Sequence, residues 1–173
     1  MVAGPRYLWG PLSALGLAAA VFACVVDQAS KLWLVNVFDL ANKGVVKLAP
    51  FVDLVLTWNT GISYGWFQQE GPFGQGALLA IKAIAVALLW IWLARASSRL
   101  SAVALGLIIG GAIGNGIDRL AYGAVVDFAL FHVRIGENTF NWYVFNLADV
   151  AIVAGVAALL YDSFWGVPAA KAP

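Results

Sequence analysis

The chain has 173 residues, 62% of them hydrophobic and 11% charged, with a mean hydropathy of +0.86. A soluble domain carries about 25% charged residues, so this composition excludes a fully water-coated surface and makes lipid the expected solvent. The net charge of +1 gives no electrostatic case for a nucleic-acid partner, and a single cysteine, Cys24, with a single histidine, His132, excludes an intrachain disulfide and a His/Cys zinc site. Any chemistry must rest on Asp, Glu, Ser, Thr, Tyr, Lys or Arg, with no metal and no cofactor expected.

A membrane-spanning helix needs roughly 20 mostly apolar residues, and stretches at about residues 12–35, 76–95, 101–119 and 143–163 meet that need. The expected fold is an all-α membrane protein of four transmembrane helices, with residues 1–173 forming one membrane-embedded domain. The start of the chain resembles a signal peptide, with Arg6, an apolar run and then Val21-Phe22-Ala23-Cys24. The run continues past Cys24, and Phe22 is bulky for a cleavage site that favours small residues. A thiol inside an uncleaved helix is therefore expected.

Between the first and second spans, residues 43–67 change character. Val45, Val46, Val52, Val55, Thr57 and Trp58 are β-branched or aromatic, and Gly44, Pro50 and Gly61 bound them. This predicts short strands in a small extracytoplasmic β-sheet. Trp58, Tyr64, Trp66 and Phe67 suit the headgroup level. The second span holds Lys82 as its one charge, and the link after it carries Arg95 and Arg99 with no acid. Basic flanks mark the cytoplasmic side. Arg6 and Lys171 flank the outer spans, so both termini are expected in the cytoplasm, with all acids but Asp162 at or beyond the opposite helix ends. In the third span Ala102, Gly106, Gly110 and Gly114 recur every fourth residue, a stripe that lets a neighbouring backbone approach closely.

Ionisable residues in a span are costly and mark function. Asn115 and Asp118 lie three apart at the end of the third span, Arg119 follows, Asp127 comes after a short apolar run, and Asn146 and Asp149 lie three apart where the fourth span opens. The third span ends and the fourth begins on one side, so Asp118, Asp127 and Asp149 gather at similar depth near the outer face. Two close carboxylates do not both ionise easily. One can take a proton from water while the other polarises a carbonyl, which is hydrolysis by an aspartyl pair. Each residue also has a plainer reading. Asp118 beside Arg119 suits a structural ion pair, Asp149 with Asn146 suits a helix cap or bridge, and Asp127 suits a solvated position. Asp27 and Lys31, four apart, suit a helix pair, and His132 suits a surface or interface.

These residues fall in five boxes whose order resembles the bacterial lipoprotein signal peptidases, the signal peptidase II family. The boxes are Asp27-Gln28-Ala29-Ser30-Lys31, Asn59-Thr60-Gly61-Ile62-Ser63-Tyr64-Gly65, residues 111–119, residues 123–128 and Phe145-Asn146-Leu147-Ala148-Asp149. Tyr64, Ile113 and Val150 depart from the usual pattern. The resemblance implies an aspartic endopeptidase with Asp127 and Asp149 as the catalytic pair, supported by Asn59, Asn115, Asp118, Arg119, Asn146, Asp27 and Lys31. It implies a prolipoprotein substrate carrying diacylglycerol on its cysteine and cut on the N-terminal side of that cysteine. It further implies a monomer in the bacterial plasma membrane, inhibited by globomycin-type cyclic peptides. A small ion- or proton-linked transporter is the alternative, although its site would lie nearer the bilayer midplane and between internal repeats. A non-enzymatic assembly subunit is a third reading. Arg119 with Trp66 and Phe67 suggests a segment that closes over the substrate.

Overall fold

The computed structural model describes residues 8–61, 72–136 and 138–165. Arg6, Tyr64, Trp66, Phe67, Glu70, Glu137 and Lys171 lie outside the described residues, and with them the expected closing segment. The elements run α1 (Ser13–Asn36), α2 (Leu40–Lys43), β1 (Val46–Ala49), β2 (Val52–Asn59), α3 (Pro72–Leu93), α4 (Arg99–Tyr122), β3 (Val125–Ile135), β4 (Asn138–Phe145) and α5 (Leu147–Trp165). Among the described residues, four helices are long and apolar enough to cross a membrane. At 1.5 Å per residue, a helix of 24 residues such as α1 or α4 is about 36 Å long, enough for a hydrocarbon core of about 30 Å.

The helices form because long apolar runs in lipid must satisfy every backbone group internally. Their ends are written locally. Pro72 opens α3, where its missing N–H is no loss. The Ser98 hydroxyl caps α4 by accepting from the Ser101 N–H at 2.9 Å. Gly123, at φ 71°, closes α4 in the left-handed region and donates its N–H to the Arg119 carbonyl. The hydroxyls of Ser98 and Ser101 both donate to Asp162, which ties the far end of α5 to the start of α4.

Helix α4 is the centre of the bundle, with α1, α3 and α5 packed around it. More than half of its apolar length is buried, whereas few residues of α3 and α5 are fully buried. The outward apolar side chains, among them Ile81, Ile84, Leu88, Val153 and Leu160, are the face lipid would cover. The small-residue stripe of α4 meets α1. A Cβ added at Gly106 would stand 2.2 Å from the Gly16 carbonyl oxygen, and one at Gly110 would stand 2.3 Å from that of Ala20. Beside this contact, Ala20, Leu93, Ala102, Leu105 and Ile109 form the helical core. Helix α1 runs unbroken through Cys24, which is partly buried.

Two expectations need correction. Among the described residues, the sheet has four antiparallel strands in the order β1-β2-β3-β4. Only β1 and β2 lie between the first and second long helices; β3 and β4 come from between the third and fourth. The fold is therefore helical with a substantial sheet rather than all-α. The sheet is built by pairing β2 with β3, so that Thr57 stands opposite Asp127 and Asn59 opposite Val125. Helix α5 starts only after β4 ends at Phe145. A second core of Leu34, Leu40 and Phe128 seats the sheet on the ends of the helices.

Gly110→Leu is expected to force α1 and α4 apart and to cost about 1–3 kcal/mol, the usual range for overpacking. Its thermal unfolding midpoint in detergent should fall by several degrees. Gly76→Ala, where nothing lies within 4 Å, should leave the midpoint unchanged.

Candidate active site

The site is assembled where α1 and α4 end, α5 begins and β3 crosses between them. Its base is a buried ion cluster. The Lys31 ammonium has three N–H donors, and three acceptors surround it: Asp27 Oδ2 at 2.8 Å, Asp118 Oδ2 at 2.7 Å and Asn115 Oδ1 at 3.0 Å. Asp27 and Lys31 are one turn apart on α1, while Asn115 and Asp118 share a face of α4, so one cation joins the two helices. The remaining carboxylate oxygens are also used. Asp27 Oδ1 accepts from the Ala148 N–H at 2.9 Å, tying α1 to the first turn of α5. Asp118 Oδ1 accepts from Gln28 Nε2 at 2.8 Å.

The helix pair read from the spacing of Asp27 and Lys31 is present. The ion pair read between Asp118 and Arg119 is not, since Asp118 pairs with Lys31. Neighbours on a helix point about 100° apart, and Arg119 instead donates to the Gly61 carbonyl at 2.6 Å.

Above the cluster stand the two other carboxylates. Asp127 is on β3 and only 3% exposed, not solvated. The N–H of its neighbour Val126 donates to Asp118 Oδ2 at 3.1 Å, and the Val126 carbonyl accepts from Asn146 Nδ2 at 3.3 Å. The ion cluster thus sets the strand that carries Asp127. The carboxylate itself accepts from Asn146 Nδ2 at 2.6 Å and from Asn59 Nδ2 at 3.0 Å. Asn59 reaches it because the β2–β3 register sets the two residues diagonally across the pair. Burial is the main reason that Asp127 holds its proton up to about pH 6, and the charge of Asp149 adds to it. The bonds from Asn59 and Asn146 act the other way, favouring the ionised form.

Asp149 is placed by the start of α5. Asn146 Oδ1 accepts from the Asp149 N–H at 2.9 Å, and Asp149 Oδ2 accepts from the Asn146 N–H at 3.3 Å. This reciprocal pair is a capping box, so the capping role read from the spacing is real. Asp149 Oδ1 also accepts from Asn115 Nδ2 at 3.0 Å. Two asparagines therefore connect the carboxylates: Asn146 touches both, and Asn115 links Asp149 to Lys31.

Asp127 and Asp149 open onto one cleft of about 480 Å³. Its polar side is Asn59, Asn115 and Arg119, and its apolar side includes Leu78 of α3 with Ile152 and Val153 of α5. Among the described residues, no three His, Cys, Asp or Glu side chains gather as metal ligands. His132 lies apart, 3.2 Å from Asp53 on the sheet. Gln28, bonded to Asp118, and Lys82, on the cleft, also belong to the site. The signal for both was a polar side chain inside an apolar run.

Lys31→Met would leave Asp27 and Asp118 buried without their cation. Breaking a buried pair from one side costs about 3–5 kcal/mol. Thermal unfolding should show a larger loss for this variant than for Asn115→Ala, which removes a neutral amide and leaves both carboxylates paired with Lys31.

Residues 19–165 match the family model described as signal peptidase (SPase) II. The lipoprotein signal peptidase of Nitrobacter hamburgensis is 68% identical over 158 residues, covering 91% of this chain and 96% of its own. That of Rhodopseudomonas palustris is 66% identical over 159 residues, covering 92% and 97%. A solved structure, described as a bacterial membrane enzyme determined by the in meso method at 1.9 Å, shares the fold with a TM-score of 0.72 at 21% identity, covering 94% of this chain and 99% of its own. Five boxes in order, four spanning helices and these matches lead to one conclusion: the chain belongs to the signal peptidase II family, and is a multi-pass membrane peptidase.

Proposed function

We propose that this peptidase is an aspartic endopeptidase whose catalytic pair is Asp127 and Asp149. The observation that carries the reading is that these two carboxylates face one cleft and are held by one residue, Asn146, whose side chain donates to Asp127 and whose backbone N–H donates to Asp149. The substrate is a prolipoprotein with diacylglycerol on its cysteine, in keeping with the names of the relatives. The apolar side of the cleft suits acyl chains, and its polar side suits a peptide bond and a water molecule.

With one proton on the pair, the ionised carboxylate takes a proton from the water as its oxygen attacks the scissile carbonyl. The protonated carboxyl donates to that carbonyl oxygen. A proton then passes from the pair to the departing nitrogen of the lipidated cysteine, the C–N bond breaks, and a hydroxyl of the collapsing diol returns its proton to the pair as the new carboxyl group forms, so the pair again holds one proton. Asn59 and Asn146 hold Asp127 in place, while Asn115 holds Asp149. Asp27, Lys31 and Asp118 support them from below, and Arg119 fixes the Gly61 end of β2 beside the cleft. The whole chain acts as one membrane-embedded domain and as a monomer. Both termini lie in the cytoplasm, as the basic link with Arg95 and Arg99 favours, and the sheet and the pair lie at the extracytoplasmic face of the bacterial plasma membrane. Globomycin-type cyclic peptides would compete for the same cleft.

The purified protein should cut a diacylglyceryl-modified prolipoprotein just before the lipidated cysteine, as read by mass spectrometry. Asp127→Asn and Asp149→Asn should each lower the rate by about a thousandfold or more, with unfolding midpoints near that of the wild type. Cleavage at full rate by either variant would refute the assignment.

The pH profile offers a second check. The active pair holds one proton, so activity should fall as pH rises through about 6, where Asp127 ionises. Asn59 donates to the ionised form. A hydrogen bond to a charged group is worth about 1.5–3 kcal/mol, so in Asn59→Ala the alkaline limb should move to higher pH by about one pH unit. A limb that stayed in place or moved down would contradict this role.

A further inference from the structure

Lys82 is the one charged residue of α3, on the least buried helix of the bundle. A lysine so placed would be expected to reach past the headgroups toward water. It instead lines the cleft that holds Asp127 and Asp149, which the apolar side chains of Leu78, Ile152 and Val153 also line. It lies in the electrostatic field of Asp149 and Arg119. Among the described residues, its ammonium makes no hydrogen bond or ion pair. A half-buried group with three donors and no acceptor among the described residues therefore shares one cleft with the reacting carboxylates, beyond ion-pair reach of them.

We propose that Lys82 is a specificity residue for the lipid of the substrate, its ammonium donating hydrogen bonds to the ester carbonyls of the diacylglyceryl group. The inference rests on the peptidase reading above. When the scissile carbonyl sits between Asp127 and Asp149, the group that Lys82 can meet is several bonds away along the chain. In a lipidated cysteine that group is the glyceryl diester. Its acyl chains are apolar and fit beside Leu78, Ile152 and Val153. Its ester oxygens supply acceptors to a half-buried ammonium that has none among the described residues, and a hydrogen bond to a charged donor is stronger than one to a neutral donor. An unmodified cysteine offers neither, so Lys82 would help the enzyme wait for lipidation before it cuts.

The test compares two synthetic prolipopeptides, one with the natural diacyl esters and one with dialkyl ethers, which keep the chains and lose the carbonyls. Wild type, K82M and K82R are assayed in the same detergent. For the wild type, the ether substrate should raise KM about tenfold with kcat within about twofold, as expected for losing hydrogen bonds to a charged donor. K82M should show the same rise in KM on the diester and no further rise on the ether, and K82R should keep most of the preference for the ester. Equal loss by K82M on both substrates would overturn the inference and assign Lys82 to the peptide or to surrounding phospholipid. A fall in kcat alone would overturn it in favour of a role in the chemical step. The ether comparison on the wild type needs no variant, so a K82M that fails to fold leaves that arm to decide. Wild type cutting both substrates equally well would overturn this inference alone. Wild type cutting neither would overturn the peptidase reading with it.

Discussion

Lys31 is the constraint on which the rest of this molecule depends. Its ammonium is the single point where α1 and α4 exchange charge, and the acceptors around it are also the supports of the site. Asp27 uses its second oxygen to hold α5, and Asp118 uses a bond to Val126 to hold β3. A charge in an apolar bundle is tolerated when it is paired and fully hydrogen-bonded. Here that requirement and the placement of Asp127 and Asp149 are met by the same few atoms.

The balance of charge follows the same logic. Four carboxylates, those of Asp27, Asp118, Asp127 and Asp149, share this end of the bundle with the cations of Lys31, Lys82 and Arg119. With one proton on the proposed catalytic pair, negative and positive charges are equal in number. A neutral cluster is the cheapest one to keep beside lipid, and the same proton is the one hydrolysis requires.

The helices were legible in the sequence because a span of apolar residues has few alternatives in lipid. The site was legible because its polar residues interrupt those spans at their ends. Half of the sheet was not. Val125-Val126-Asp127-Phe128-Ala129-Leu130-Phe131 is a continuous apolar run with one acid, next to a helix, and its strand character is set by pairing with β2 from across two helices. The partner of Asp118 was hidden for a similar reason. Chain proximity pointed to Arg119, while the partner comes from a residue on α1 that only the close approach along Gly106 and Gly110 brings near. The capping role of Asp149 was legible, since it depends on residues three apart. That it also faces Asp127 depends on where the sheet puts β3.

The spacing of Asp27 and Lys31 has a consequence for biogenesis. The chain is made from its N-terminus, and α1 emerges long before Asn115, Asp118 and Ala148 exist to satisfy it. A lone acid or a lone base would be a poor passenger during insertion. Because the two stand one turn apart and already touch, α1 enters the bilayer with its own counterion. When α4 and then α5 arrive, they take up the free valences of a pair that has been stable from the start.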